Sequence, residues 1–267
     1  MSKARGIIIA SLLVASVGSL TGSLTAWAGE KKYTLADIKA LNADSSFKEA
    51  FQHIGDIAPA QRKAEWLDVA ATAAGGVLGI LDTDDGSTIG VIDQIDKEFP
   101  ALLKSPKYTK PRAELGFQGL EGCFNQTNDY WSSYGLENCV KVGMRFVANS
   151  GGDKALALKV AKLARKSMNA YGAVPFFEKA TSKDNKALCA DDDFKLAVVA
   201  GLGLPKDDKN AAKSRTLMVT CWDSIKDDVV KAFDGDSKGG YIQQNTCDQL
   251  IAKKLISGLQ LKQCSKK

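Results

Sequence analysis

The sequence predicts an all-α protein built from antiparallel helical hairpins, with disulfides in its C-terminal two-thirds. Apolar residues recur at steps of three and four along most of the chain, which places them on one face of an α-helix. Runs of alternating β-branched residues, which are typical of strands, are missing. The six cysteines all follow residue 122, and an even number fits three disulfides formed in an oxidising compartment.

The first 28 residues have the features of a secretory signal peptide. Lys3 and Arg5 form a short cationic region. The apolar run at residues 7–20 is shorter than the roughly 20 residues that cross a bilayer as a helix. Ala26 and Ala28 are small residues at the two positions that a signal peptidase recognises, and they predict cleavage after Ala28. We therefore expect a secreted or periplasmic protein with no membrane span after cleavage; the alternative is a retained anchor helix.

Charge and length narrow the class of protein further. The chain carries a formal net charge of +5, and loss of the signal segment with its two cations leaves a mild excess of +3. A nucleic-acid-binding protein would show stronger basic clustering. Pro106 and Pro111 lie within seven residues and predict a connector there. This connector would separate a Cys-free helical subdomain, 29–106, from a Cys-bearing helical subdomain, 107–267.

The predicted elements follow one another as helices joined by turns rich in Gly, Pro and Asp. Trp66, Val69, Ala70, Ala73, Val77 and Ile80 share one face of the second helix. Such successive hairpins are typical of a multi-helix bundle or of a short α-solenoid. The helices are expected near residues 34–54, 59–81, 87–104, 111–124, 136–148, 153–171, 193–203, 209–233 and 245–258.

One segment favours the α-solenoid over the bundle. Residues 192–204 read Asp-Asp-Phe-Lys-Leu-Ala-Val-Val-Ala-Gly-Leu-Gly-Leu, an acidic turn followed by an apolar-basic pair, small residues and a Leu-Gly ending. This segment resembles the second helix of HEAT-like α-helical repeats. The resemblance covers only these residues, and no further copies recur at a fixed period. It implies a helix whose small residues let its neighbours approach closely.

Helix geometry suggests how the cysteines pair. Cys189 precedes the helix at 193–203, and Cys221 lies about 12 residues into the next helix. An antiparallel return at about 1.5 Å per residue brings the two level. Cys123 and Cys139 flank one hairpin in the same way, which leaves Cys247 for Cys264. Six cysteines permit 15 pairings, so this sequential pattern is a hypothesis.

Two patterns were considered for catalysis. His53 is the only histidine, so any Ser-His or Cys-His pair would need it, and no GxSxG motif occurs. A histidine near a helix C-terminus, favoured by the helix dipole, is the simpler interpretation. Ser45 and Lys48 show the SxxK spacing of penicillin-interacting serine enzymes, but no KTG motif follows. Ser45 or Ser46 as a helix N-cap explains that spacing better.

The best metal candidate is the segment at 234–245. Asp234 and Asp236 match positions one and three of a calcium-binding EF-hand loop, and Gly239 matches position six. Lys238 stands at position five, and Asn245 stands where a bidentate carboxylate belongs. A Gly-rich turn, with Asn245 or Thr246 capping the last helix, explains the segment better. The sequence therefore predicts no cofactor and no dedicated metal site.

Two surfaces were considered for contact with a partner. The first is a basic helix face, and the second is an aromatic cluster in a connector; a solvated face and a packed loop are the respective alternatives. The residues are Lys159, Lys162, Arg165 and Lys166 for the face, and Tyr130, Trp131 and Tyr134 for the cluster. Asn125 begins an Asn-Gln-Thr glycosylation acceptor, whose use depends on the source.

The function that these observations favour is that of an exported, non-enzymatic helical scaffold or protein-interaction protein. Its partner would be another exported protein or a component of the cell envelope. An exported hydrolase or glycan-processing enzyme is the first alternative, because two carboxylates far apart in sequence can perform acid–base catalysis without leaving a local motif. A calcium or ligand carrier that uses the loop at Asp234 is the second alternative.

Overall fold

The fold is all-α, as the sequence predicts. A computed structural model describes residues 32–81, 87–126, 133–166, 170–181, 186–235, 240–253 and 264. These residues form thirteen α-helices and no strand. Residues from Thr34 to Lys267 belong to one compact unit. Within the described ranges, every helix is too short or too polar to cross a bilayer.

The helices are numbered α1 to α13 in chain order, and four short 3-10 helices extend or link them. The α-helices are α1 (Leu35–Ala43), α2 (Phe47–His53), α3 (Ala64–Leu78), α4 (Ser87–Glu98), α5 (Pro106–Gln126), α6 (Ser133–Asn149), α7 (Lys154–Arg165), α8 (Val174–Ala180), α9 (Lys186–Cys189), α10 (Asp192–Leu202), α11 (Lys209–Thr220), α12 (Trp222–Gly235) and α13 (Tyr241–Ala252). The 3-10 helices are Ile54–Asp56, Pro59–Gln61, Pro100–Lys104 and Ala170–Ala173.

Several predicted helices are interrupted in the structure, although the helical spacing of apolar residues in the sequence continues across the break. The predicted helix at 34–54 breaks between α1 and α2, where Ser45 adopts a left-handed φ of 58°. The predicted helix at 209–233 breaks at Cys221, which caps α11. The apolar stripe of α3 ends at Leu78, so Ile80 lies beyond the helix with 63% of its surface exposed. The prediction that Ile80 belongs to the apolar face of this helix was therefore wrong.

The predicted connector at residues 105–111 is helical instead. Pro106 starts α5, where the fixed φ of proline suits a first turn and its missing N–H leaves no bond unmade. Pro111 lies inside α5 and cannot donate to the carbonyl of Lys107, four residues earlier. That carbonyl faces Gly75 of α3, at a close crossing of the two helices. The division into subdomains 29–106 and 107–267 stays a prediction.

We expect Gly75→Ala to destabilise the fold by about 1–3 kcal/mol, the usual cost of overpacking. A Cβ at Gly75 would collide with the backbone carbonyl oxygen of Lys107, and a backbone atom cannot turn aside. The matched control is Gly90→Ala in α4, where a Cβ meets no atom within 4 Å. Alanine is the better helix former, so this control should be neutral or stabilising. Equal effects of the two variants in urea unfolding would contradict the close crossing.

The predicted disulfide pairing is confirmed at all three pairs. Cys123–Cys139 joins α5 to α6, with their Cα atoms 5.9 Å apart. Cys189–Cys221 joins the end of α9 to the end of α11, and Cys247–Cys264 joins α13 to the C-terminal tail; each has a Cα separation of 5.3 Å. The disulfides therefore lie in the C-terminal two-thirds of the chain, and each cysteine is bonded to its neighbour in the sequence.

Helix α10 contains the segment that resembles a HEAT-type helix. Asp191 caps it by accepting a hydrogen bond from the backbone N–H of Phe194. At Gly201 a Cβ would collide with the hydroxyl of Ser214, so the small residue does allow close approach to α11. Helix α10 packs against α7, α8, α11, α12 and α13, so it lies at the centre of the C-terminal helices.

A buried polar network holds α4, α5 and α6 together. Asp96 and Arg112 form an ion pair at 2.6 Å, with only 1% and 2% of their side chains exposed. The hydroxyl of Tyr108 donates to Asp96 Oδ1 at 2.8 Å, and the side-chain amide of Asn149 donates to Oδ2 at 2.9 Å. The Arg112 guanidinium also donates to the hydroxyl of Ser150 at 2.8 Å. Each buried charge in the pair therefore has several hydrogen-bond partners.

A second carboxylate of α4 forms a neighbouring, half-exposed cluster. Arg145 of α6 contacts both oxygens of Asp93, at 2.5 and 2.6 Å, and Lys97 donates to Oδ2 at 2.6 Å. Burial by itself would raise the pKa of Asp93. The hydrogen bonds and charges of Arg145 and Lys97 outweigh burial and hold that pKa below its ordinary value.

We expect the free energy of unfolding to fall below about pH 4, and to fall less steeply in Asp93→Asn. The unfolded-state pKa of an aspartate is about 3.9. Because the folded-state pKa is lower, ionised Asp93 stabilises the fold above the unfolded value, and this contribution is lost as the pH falls through the folded-state pKa. Urea unfolding of both proteins between pH 3 and pH 7 measures the slope. Identical slopes would contradict the role assigned to Asp93.

Candidate functional site

The structure brings the residues of the two catalytic patterns together, because Ser45, Lys48 and His53 line one cavity with a volume of about 530 Å³. His53 is the last residue of α2, and its Nδ1 lies 2.9 Å from Asp56 Oδ2 in the following 3-10 helix. This is the helix-end histidine of the simpler interpretation. Ser45 precedes α2 with a left-handed backbone, so Ser45 and Lys48 do not lie one turn apart on the same helix. Ser46 occupies the N-cap position of α2, although its side chain makes no capping hydrogen bond.

Part of the predicted basic face is used inside the molecule. Lys162 of α7 lies 2.6 Å from Asp191, the N-cap of α10, and the hydrogen bond from Lys162 raises the lysine's pKa. Arg165 Nε lies 2.8 Å from Asp193 Oδ1, without the alignment of a hydrogen bond. These two contacts hold the acidic start of α10 against α7. Lys159 and Lys166 are exposed, and binding of a partner by this face stays a prediction.

The loop candidates fall largely outside the described residues. The candidate residues outside the described ranges are Asp236, Gly239, Tyr130 and Trp131. The side chains of Asp234 and Tyr134 are likewise not described. Asn125 is exposed, one residue before the end of α5. Among the residues that the structure does describe, no group of three His, Cys, Asp or Glu could hold a metal ion.

Asn245, the twelfth position of the predicted calcium loop, has another role. It lies inside α13, which begins at Tyr241, so the prediction that it caps the last helix was wrong. Its side-chain amide donates to the carbonyl oxygens of Leu202 and Leu204, at 2.7 and 2.9 Å. Its Oδ1 accepts a hydrogen bond from Arg215 at 2.6 Å. Asn245 therefore joins α13 to the end of α10 and to α11.

A groove with a volume of about 870 Å³ lies between α6 and α11. One wall is a stripe of α6, the other is the start of α11, and the 3-10 helix Ala170–Ala173 and the start of α8 lie at its base. We call this cavity the α6–α11 groove. Its described lining residues are Leu136, Glu137, Val140, Lys141, Met144, Tyr171, Gly172, Pro175, Asp207, Asp208, Lys209, Asn210 and Lys213.

The α6 wall of the groove is apolar, and the rim of the groove is charged. Leu136, Val140 and Met144 recur every four residues along α6, so they form one stripe that spans about 12 Å of helix. Leu136 and Pro175 are buried, whereas Val140 and Met144 are half-buried and line the open space. The stripe continues the face by which α6 packs on the bundle, and part of it is left accessible to a ligand.

An ion pair spans the rim. Lys209 Nζ of α11 lies 2.6 Å from Glu137 Oε1 of α6, and 69% and 63% of the two side chains are exposed. The hydrogen bond and the charge of Lys209 lower the pKa of Glu137. An ion pair this exposed contributes little to stability, because water and salt screen it. It therefore closes the rim weakly, and a ligand can displace it at small cost. Lys213, on the same wall, pairs with Glu178.

The start of α11 supplies polar groups to the groove. Asp208 caps α11 by accepting from the backbone N–H groups of Asn210 and Ala211, at 2.6 and 3.3 Å. Burial raises the pKa of Tyr171, and the charge of Asp208 raises it further, so the phenol stays neutral at physiological pH. The side-chain oxygen of Asn210 is buried and has no hydrogen-bond partner among the described residues. An unpaired buried acceptor is unfavourable, and because this oxygen has almost no accessible surface it offers no contact to a ligand in the groove.

Sequence reasoning did not identify this groove. Its walls come from residues 136–144, 171–175 and 207–213, which only the tertiary fold brings together. The stripe in α6 has the four-residue spacing of an ordinary core face, and Asp208 has the spacing of an ordinary cap. The one available signal is that Lys and Asp/Glu are dense around both segments, which is also true of many exposed helices.

Comparison with known proteins gives no further constraint on the groove. No model of a known protein family matches the chain, and searches of curated proteins and of solved structures found no significant match.

Proposed function

We propose that this protein is an exported, non-enzymatic interaction module that binds another exported protein through the α6–α11 groove. The observation that carries the proposal is the accessible apolar surface of Val140 and Met144, with the charged side chains of Glu137 and Lys209 beside it. Apolar surface surrounded by polar groups is typical of a binding site. The rigid walls support this function, because α6 is tied to α5 by the Cys123–Cys139 disulfide.

The electrostatics of Glu137 do not suit a general acid in the groove. A carboxyl group that donates a proton at neutral pH needs a raised pKa. Interactions within the fold lower the pKa values of Asp93, Glu137 and Asp191 instead. Glu137 is the one of these that lines the groove, and it is held ionised by Lys209.

Export is the second part of the proposal. It is supported by the three disulfides, which persist in oxidising compartments, and by the signal-like residues 1–28. We expect the protein recovered from outside the cytoplasm to begin at Gly29. Sequencing of its N-terminus measures this, and an intact Met1 on the recovered protein would contradict cleavage.

Photocrosslinking tests the binding surface. A photoreactive residue at Val140 is expected to capture one exported protein from the cells that produce the chain, because Val140 lies in the groove. The matched control places the same residue at Leu196 of α10, which is also a large, exposed apolar position. The captured protein is then purified and its affinity for the mature chain measured by calorimetry.

Val140→Glu should weaken that affinity at least ten-fold, because it places a charge on the apolar α6 wall, while Leu196→Glu should leave it unchanged. Capture of the same protein from both positions, or equal affinity for both variants, would overturn the assignment of the groove.

A further inference from the structure

We infer that α13 opens from the rest of the fold as a unit, in a local transition that leaves the other helices and all three disulfides in place. This inference concerns residues 241–252 and is independent of the α6–α11 groove, so its failure would leave the proposed function untouched. It is carried by the side chains that α13 buries, by the unpaired hydroxyl of Thr246 and by the place of α13 relative to the disulfides.

Helix α13 gains little from apolar burial. Its buried residues are Asn245, Thr246, Cys247 and Leu250. Leu250 is the one aliphatic side chain among them, whereas Tyr241 and Ile251, two large apolar residues of the same helix, are exposed. Burial of apolar surface is the main favourable contribution to the packing of a helix. Docking of α13 is therefore stabilised weakly.

Helix α10 is the matched comparison. It has 11 residues against 12 in α13, and it packs on five other helices. Phe194, Val198 and Leu202 of α10 are fully buried. We expect α10 to stay in place until the whole chain unfolds.

Polar contacts position α13 more than they hold it. The Asn245 amide donates to the carbonyl oxygens of Leu202 and Leu204 at the end of α10, and Asn245 Oδ1 accepts from Arg215. Water can take the place of these partners when α13 leaves, so the net contribution of the hydrogen bonds is small. The Thr246 hydroxyl is buried without a partner among the described residues. Because burial of an unpaired hydroxyl is unfavourable, it favours the open state.

The disulfides do not oppose this opening. Cys123–Cys139 and Cys189–Cys221 join helices that all precede α13. Cys247–Cys264 joins α13 to the tail that follows it, so no disulfide ties α13 to an earlier helix. The chain can therefore release α13 with every disulfide intact.

A released α13 loses its helical hydrogen bonds, because a helix of 12 residues is marginal by itself in water. Its amide hydrogens then exchange with solvent at each local opening, whereas those of α10 exchange only when the rest of the fold opens. Opening of α13 also uncovers the end of α10, whose carbonyl oxygens accept from Asn245 in the docked state.

Hydrogen exchange measured by mass spectrometry tests the inference on the mature, oxidised chain. Peptides that cover 241–252 should exchange about 100-fold faster than peptides that cover 192–199, since local openings are far more frequent than global unfolding. Low concentrations of urea should change the rate less at 241–252, because opening of α13 alone exposes less surface. Equal rates, or an equal dependence on urea, would overturn the inference.

Two variants should change the opening of α13 in opposite directions. Thr246→Val removes the unpaired hydroxyl and should slow exchange at 241–252 about ten-fold, whereas Asn245→Ala removes the docking hydrogen bonds and should speed it about ten-fold. Thr216→Val, at an exposed position of α11, is the matched control and should leave that rate unchanged.

None of these variants should alter exchange at 192–199. Equal acceleration of 192–199 and 241–252 by Asn245→Ala would overturn the inference, since α13 would then belong to the same unfolding unit as α10. Exchange of Thr246→Val at or above the rate of the unmodified chain would also overturn it, because the buried face of α13 would not favour opening.

Discussion

Asp96→Ala should lower the free energy of unfolding by about 3–5 kcal/mol, because it leaves the buried guanidinium of Arg112 without its counter-charge. The variant also removes the acceptor of the Tyr108 hydroxyl and of the Asn149 amide. Guanidinium chloride unfolding of the oxidised protein, followed by circular dichroism, measures the loss. Asp96→Asn keeps the size of the side chain but removes its charge, so its loss should be smaller.

The matched control for this variant is an exposed ion pair. Lys39 and Glu65 join α1 to α3 at 2.5 Å, with 53% and 62% of their side chains exposed. Lys39→Ala should cost less than about 1 kcal/mol, because solvent screens such a pair. If Asp96→Ala cost no more than Lys39→Ala, the network would not be holding α4, α5 and α6 together.

Replacing both Cys189 and Cys221 by alanine should cost about 4 kcal/mol. The residues are 32 apart, and the entropy of closing a loop of that length in the unfolded chain accounts for this value. Both half-cystines are buried where α9, α10 and α11 meet, so the loss of the bond also removes contacts between them. Thermal and denaturant unfolding of the double variant measure the change.

The comparison variant replaces Cys123 and Cys139, which are 16 residues apart, and should cost about 3 kcal/mol by the same argument. A loss below 1 kcal/mol for Cys189 and Cys221 would contradict the role assigned to this disulfide in restricting the unfolded chain. Reduction of the unmodified protein with dithiothreitol should destabilise it by more than either double variant.

The sequence predicted the helical class and the disulfides because both depend on short-range geometry. A stripe such as Trp66, Val69 and Ala73 marks one buried face of α3 without reference to the rest of the chain. The pairing of Cys189 with Cys221 follows from the lengths of two antiparallel helices. Both features can be predicted because each depends on the spacing of residues within one helix or between two consecutive helices.

The sequence did not predict where helices break, nor which side chains form the groove. At Ser45 and Cys221 the apolar spacing continues across the break, so periodicity cannot detect it. The segment at 105–111 has the two prolines that are typical of a connector. Pro106 nevertheless begins a helix of 21 residues, since a proline is tolerated in a first turn. Asn210 and Val140 line the same groove only through the tertiary fold, and neither residue carries a local signal of that placement.

The order of the disulfides has a consequence for how the chain is oxidised. Each cysteine is bonded to the next one along the sequence, so no disulfide encloses or crosses another. When such a chain enters an oxidising compartment from its N-terminus, the first free thiol that Cys139, Cys221 or Cys264 meets is its native partner. Vectorial oxidation then yields the native connectivity directly. We therefore expect an oxidase to be sufficient for this chain, without an isomerase that corrects mispaired thiols.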